Sequence, residues 1–169
     1  MRRTAPIETK VLLDGLAMVE SPRWHDGRLW FPHWGTPEIL AVGLDGKSRV
    51  MARVPPGLGH AIGWLPDGRL LVTGRRLTRH ERDGSVVVHA DLDHISSHGW
   101  SELTVDGRGN AYVDSIGFDF DAEMVERVKE PTRSPTGVIA LLTPDGGARK
   151  VADGIAFPNG MVVTRTTGR

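Results

Sequence analysis

Apolar residues in this chain fall into short runs of strand length, each preceded by a polar turn. The stretches "WHDGRLWF", "WLPDGRLLV" and "VDGRGNAYV" share one plan, an Asp/Gly turn followed by an apolar run. Their turn glycines, Gly27, Gly68 and Gly109, lie 41 residues apart in both intervals (27 to 68 and 68 to 109). A second turn follows in each unit, at Asp45-Gly46, Asp83-Gly84 and Asp145-Gly146. Asp-Gly favours tight hairpins because glycine accepts positive φ without steric cost and aspartate tolerates it. After each second turn comes a further strand-like run: "KSRVMARV", "SVVVHADL" and "ARKVADGI". Each unit therefore reads as two hairpins, or four antiparallel strands. A period of roughly 40–45 residues built from short strands is that of a propeller blade. A generic β-meander with chance spacing accounts poorly for two equal intervals and a repeated second turn.

The pattern predicts an all-β, β-propeller fold with a lead-in over residues 1–15. Blades are expected at about 16–55, 56–95 and 96–154, with the start of a fourth at 155–169. The third unit is longer because "FDFDAEMVERVKEPTRSPT" is inserted, from Phe118 to Thr136. Asp121 to Glu130 is predicted to form a short helix, ended by Pro131 and Pro135. We read this insertion as a surface loop over one face of the propeller. The fourth unit is expected to begin at Ile155 and to contain only its first strand.

Composition narrows the function classes. The chain has 169 residues, enough to bury a core, and its 21 Lys and Arg balance 21 Asp and Glu. That balance favours neither nucleic acid nor an anionic membrane as partner. Cysteine is absent, which excludes disulfides and thiolate chemistry. "MRRTAPIETK" has no apolar stretch behind its arginines, and the longest apolar run, Val138 to Leu142, is far too short to span a bilayer. A soluble, cytoplasmic protein is expected.

Candidate chemistry emerges from register. In a propeller the first strand of every blade lines the central axis, so residues at one register face a common channel mouth. Glu20 lies seven residues before Gly27, His60 eight before Gly68 and Ser101 eight before Gly109; Asn159 holds the matching place before "GMVV". Carboxylate and amide oxygens are hard ligands suited to calcium or magnesium, and zinc accepts them too. The competing reading is a set of hydrated strand entrances with no ligand. Other signals point nowhere specific. "GLGHAIG" misses the dinucleotide-loop spacing, and His94 and His98 lie in a poor helix without an intervening Glu. The five tryptophans fit blade packing, with Trp34 and Trp100 placed to wall a pocket.

The stretches "ESPRWHDGRLWF", "HAIGWLPDGRLLV", "SELTVDGRGNAYV", "GVIALLTPDG" and "GIAFPNGMVV" together resemble the gluconolactonase, regucalcin (senescence marker protein) and luciferin-regenerating enzyme family. The resemblance runs from about Leu16 to Val163. It implies a six-bladed propeller with one divalent cation on its axis, calcium first, zinc or magnesium as alternatives. It makes Glu20 and Asn159 metal ligands; the family's third ligand, an Asp of a later blade that also serves as general base, has no counterpart here. Ser101, Glu102 and His60 are the candidate substrate contacts, although Ser101 stands where family members usually carry Asn. The implied activity is hydrolysis of small lactones, with water attacking a metal-polarised carbonyl. The alternative is a non-catalytic propeller module that binds a small molecule or a protein, which the change at Ser101 favours; an inert gene remnant is a third. Relatives commonly continue "GMVVT" with Pro-Asp-Asn-Arg. Loss of one cytosine from codons for that turn yields Thr-Arg-Thr-Thr-Gly, the residues at 164–168. A frame-shifted, truncated member is therefore expected, weakly active, marginally stable, with a bare blade face and a tendency to self-associate through exposed blade edges.

Overall fold

The computed structural model describes residues 8–57, 59–118 and 136–164. The predicted helix at 121–130 and the terminal residues 165–169 lie outside these. Among the described residues the fold is all-β. The first sheet contains β1 (Arg23–His25), β2 (Arg28–His33), β3 (Glu38–Val42) and β4 (Ser48–Arg53). The second contains β5 (Ile62–Trp64), β6 (Leu70–Val72), β7 (Thr78–His80) and β8 (Val86–Val88). The third contains β9 (Leu103–Val105), β10 (Ala111–Ser115), β11 (Gly137–Leu142) and β12 (Ala148–Ile155). In each sheet the strands lie in chain order and pair antiparallel, as the two-hairpin reading requires.

The first turns of the units differ in a way that matters for register. Between β1 and β2, Asp26 (φ 52°) and Gly27 (φ 72°) both adopt left-handed conformations, the requirement of a two-residue hairpin turn. In the second and third units only the glycine does so, Gly68 at 85° and Gly109 at 87°. There the preceding aspartate caps the turn instead: Asp67 Oδ1 accepts from the Arg69 amide at 3.0 Å, and Asp106 Oδ1 from the Arg108 amide at 2.8 Å. Trp24 pairs with Leu29, whereas Trp64 pairs with Leu70 and Val105 with Ala111. The first turn is thus one residue shorter. Counting back from the glycines hides this, and it accounts for the offset of Glu20.

Alternation along the strands builds two inter-sheet cores. Ile39 packs with Ile62, Leu70 and Val72 between the first two sheets, extended by Trp30 and Trp64. The His25 ring stacks on Trp64, with centroids 3.9 Å apart and planes 8° from parallel. Leu71, Leu103, Val113 and Leu142 join Leu77 and Trp100 between the second and third sheets. Gly63 permits that approach, because a Cβ there would fall 2.5 Å from Leu103 Cδ1. Trp24 is the exception to tryptophan packing and is 57% exposed.

Two expectations change. One apolar face of the first sheet is not bare: Leu12 and Leu13 of the lead-in, with Leu16 just after it, cover Phe31, Leu40 and Val42. The leucines of an apparently featureless segment remove that apolar surface from water. Nor does Ile155 open a new strand. It closes β12, paired with Gly137, and residues 156–164 form no strand. A strand needs a ladder partner for its backbone groups, and no described segment lies alongside. The outermost strands β4, β8 and β12 are largely exposed, as expected of blade edges, and Val86, Val87 and Val88 face water.

Candidate functional site

Glu20, His60 and Ser101 stand four residues before Trp24, Trp64 and Val105, the equivalent pairing positions of β1, β5 and β9. Their backbones confirm the match in the first and third units: the Glu20 amide donates to the Pro32 carbonyl at 3.4 Å and the Ser101 amide to the Asp114 carbonyl at 2.8 Å. The structure therefore brings these three residues to one register at the entrances of successive innermost strands.

Their side chains are differently committed. The Glu20 carboxylate is exposed and makes no hydrogen bond or ion pair among the described residues. The His60 ring is buried and engaged, with Nδ1 2.7 Å from the Thr73 carbonyl and Nε2 3.1 Å from the Pro55 carbonyl. Ser101 is half-buried, and its carbonyl accepts from Thr73 Oγ1 at 2.6 Å. Glu102 is turned inward and buried: its Oε2 accepts from Ser21 Oγ at 3.0 Å and from Arg23 Nη2 at 3.1 Å. Arg23 Nη2 also donates to the Leu103 carbonyl at 3.1 Å. These bonds join the first unit to the third directly. Ser21, held at φ 47° despite its side chain, is the strained element of the link. Asn159 lies beyond β12, exposed, without a hydrogen bond to Glu20, His60 or Ser101.

Two buried polar groups beside these entrances escaped the sequence reading. Thr73 Oγ1 accepts from the Ala61 amide at 2.6 Å, and Asp114 Oδ1 accepts from the Glu102 amide at 3.1 Å. The two residues hold equivalent places, three after Leu70 and Ala111. A polar residue recurring at the close of the second strand was the available signal. Asp114 is fully buried, and its Oδ2 has no partner among the described residues. Burial, and secondarily the Glu102 charge, push its pKa up to about 7, against the opposing hydrogen bond from the Glu102 amide.

For a divalent cation, Glu20 and Asn159 have suitable chemistry. Both present hard oxygen, and neither is occupied by another side chain. Two donors make only part of a shell, since calcium takes roughly 6–8 oxygens. Among the described residues no group of three or more His, Asp or Glu side chains gathers to supply the rest.

Three consecutive four-stranded antiparallel sheets, with the first and third linked at their innermost strands, define a β-propeller of which the described residues supply three blades. Residues 18–167 match the SMP-30/Gluconolactonase/LRE-like region, and the chain belongs to that family. It is a family of gluconolactonase-like lactone hydrolases that act on small lactones, and its members often bind a divalent metal. Among solved structures, a putative gluconolactonase aligns at a TM-score of 0.67 and 20% identity, over 89% of this chain and 54% of its own length. A gluconolactonase of Xanthomonas campestris aligns at 0.62 and 20%, over 84% of this chain and 49% of its own. A luciferin-regenerating enzyme aligns at 0.66 and 18%, over 86% and 48%. The chain thus spans about half the length of these relatives. A search of curated proteins finds no match.

Proposed function

We propose that this chain carries the metal-binding mouth of a lactone hydrolase, with Glu20 and Asn159 as ligands to one divalent cation, calcium before zinc or magnesium. The observation that carries this reading is the common register of Glu20, His60 and Ser101, together with the unengaged Glu20 carboxylate. When bound, the cation polarises the ester carbonyl of a small lactone. Ser101 is the polar group left to meet the substrate, because its hydroxyl can both donate and accept. His60 and Glu102 act as positioning residues. The imidazole holds the segment that begins at Pro55 against Thr73, and Glu102 fixes Ser21, beside Glu20, through its bond to Ser21 Oγ. The attacking water is excluded from the apolar core behind these groups and approaches from the open mouth.

The test is calorimetric titration with calcium, then zinc. Saturable binding is expected, weakened by about tenfold or more in Glu20→Gln, the loss of one charged oxygen ligand. Hydrolysis of gluconolactone or dihydrocoumarin should track occupancy. Unsaturable binding, or identical binding by the variant, refutes the reading. A non-catalytic small-molecule module is the second reading, favoured by Ser101 in place of the family's Asn; binding of a lactone without turnover under saturating cation would select it.

A further inference from the structure

A cavity borders the strand entrances at His60 and Thr73. It has a volume of about 580 Å³ and opens between the first two sheets and the start of the third. Glu20, Ser101, Glu102 and Asn159 do not line it, whereas His60 and Thr73 do, and its Trp100 adjoins Ser101. Its walls are apolar, formed by Val54, Pro55, Val72, Val86 and Trp100. Arg53, Arg75 and Arg76 stand on it, and among the described residues no Asp or Glu does.

These arginines are poorly neutralised. Arg53 pairs with Glu38 at 2.9 Å but remains mostly exposed, and Arg75 reaches Asp93 only at 3.9 Å. Arg76 pairs with no acid among the described residues. The His60 ring nitrogens lie 2.7 Å from the Thr73 carbonyl and 3.1 Å from the Pro55 carbonyl. Gly74 keeps the floor open beside that ring: a Cβ there would fall 2.9 Å from His60 Cε1. A concave apolar pocket of this size with a few convergent polar groups is suited to a small organic ligand. Guanidinium groups favour a carboxylate, which accepts two parallel hydrogen bonds. Low-dielectric walls strengthen that attraction.

We propose that this inter-blade cavity binds a small organic carboxylate with an apolar body, its anionic end on Arg76 and Arg75 and its body against Trp100 and the valines. The site is independent of the axial cation.

The probe is phenylacetate, titrated against intrinsic tryptophan fluorescence and by saturation-transfer NMR, with chelator present. Neutral phenylacetamide is the isosteric control. Phenylacetate should saturate, and the amide should bind about tenfold more weakly, the equivalent of one charge-assisted hydrogen bond. Arg76→Met, at an exposed position that leaves the core untouched, should weaken phenylacetate by a similar factor without affecting the amide. Arg76→Lys should restore only part of the binding, since an ammonium keeps the charge but not the two parallel hydrogen bonds. Glu20→Gln should bind phenylacetate like the parent chain. Equal affinity for acid and amide, unsaturable binding, no effect of Arg76→Met, or loss of binding in Glu20→Gln each overturns the proposal.

Discussion

Asp114 gives the sharpest test of the packing described here. Its carboxyl is sealed from water, with one oxygen on the Glu102 amide and the other without a partner among the described residues. The group ordinarily titrates at 3.8 and is pushed up to about 7 in the fold. A raised carboxyl pKa means that the folded chain holds its proton more tightly than the unfolded chain. Between those two values the folded state therefore binds more protons, and stability falls as pH rises. Above about 7 the full cost of an ionised buried carboxylate is present in the fold. One pH unit corresponds to about 1.36 kcal/mol, so the whole interval sets a ceiling of about 4 kcal/mol. From pH 5 to pH 8 the expected loss is up to about 3 kcal/mol, less whatever relaxation or water entry recovers.

Asp114→Asn removes the charge, keeps the acceptor for the Glu102 amide and nearly preserves volume. Urea unfolding followed by far-UV circular dichroism, at half-unit steps from pH 5 to pH 8.5, measures both chains. The difference between them isolates Asp114 from other titrations. It must, because burial lowers the pKa of His80 and His89, and those histidines make stability rise with pH up to about 6.5. The variant should gain on the parent as pH rises and lead by about 1–3 kcal/mol at pH 8. A difference that stays flat across this range would refute the argument, as would a parent that is the more stable at pH 8.

Arg23→Met should destabilise by about 2 kcal/mol in the same unfolding assay, because Glu102 is left buried without its cation; the loss should shrink in an Arg23→Met/Glu102→Gln double variant. Gly63→Ala should cost about 1–3 kcal/mol, since its Cβ collides with Leu103 Cδ1 where the second and third sheets meet. Val87→Lys, on the exposed outer strand β8, should shift size-exclusion profiles towards monomer, as lysine on a sheet edge opposes pairing with another chain.

Much of this architecture was legible because turns announce themselves. The Asp-Gly pairs and the 41-residue interval located the three units, and local chemistry at each turn delivered the strands that follow. What stayed hidden depended on long-range pairing. Nothing in "WHDGRLWF" says that its turn closes over two residues while "WLPDGRLLV" needs a longer one; only the pairing of Trp24 with Leu29 reveals it. Leu12 and Leu13 read as a lead-in because their partners, Phe31 on β2 and Leu40 and Val42 on β3, share a sheet face whose direction the sequence leaves open.

The candidate site shows the same division. Entrance residues could be aligned from spacing, but whether a side chain there stays free depends on what folds against it. Glu20 and Glu102 look interchangeable as carboxylates in the sequence. Glu102 meets Ser21 and Arg23 from a stretch some eighty residues away and becomes a tie between blades, whereas the Glu20 carboxylate makes no hydrogen bond or ion pair among the described residues. The tie has a consequence for the proposed cation site. Ser21 adjoins Glu20, so the bond that commits Glu102 also fixes the backbone from which the Glu20 carboxylate is presented. Ser21→Ala should therefore weaken calcium binding without removing a ligand, and its effect should vanish in a Glu20→Gln background. Additive losses in the two variants would show that Ser21 and Glu20 act independently, and the coupling argued here would be wrong.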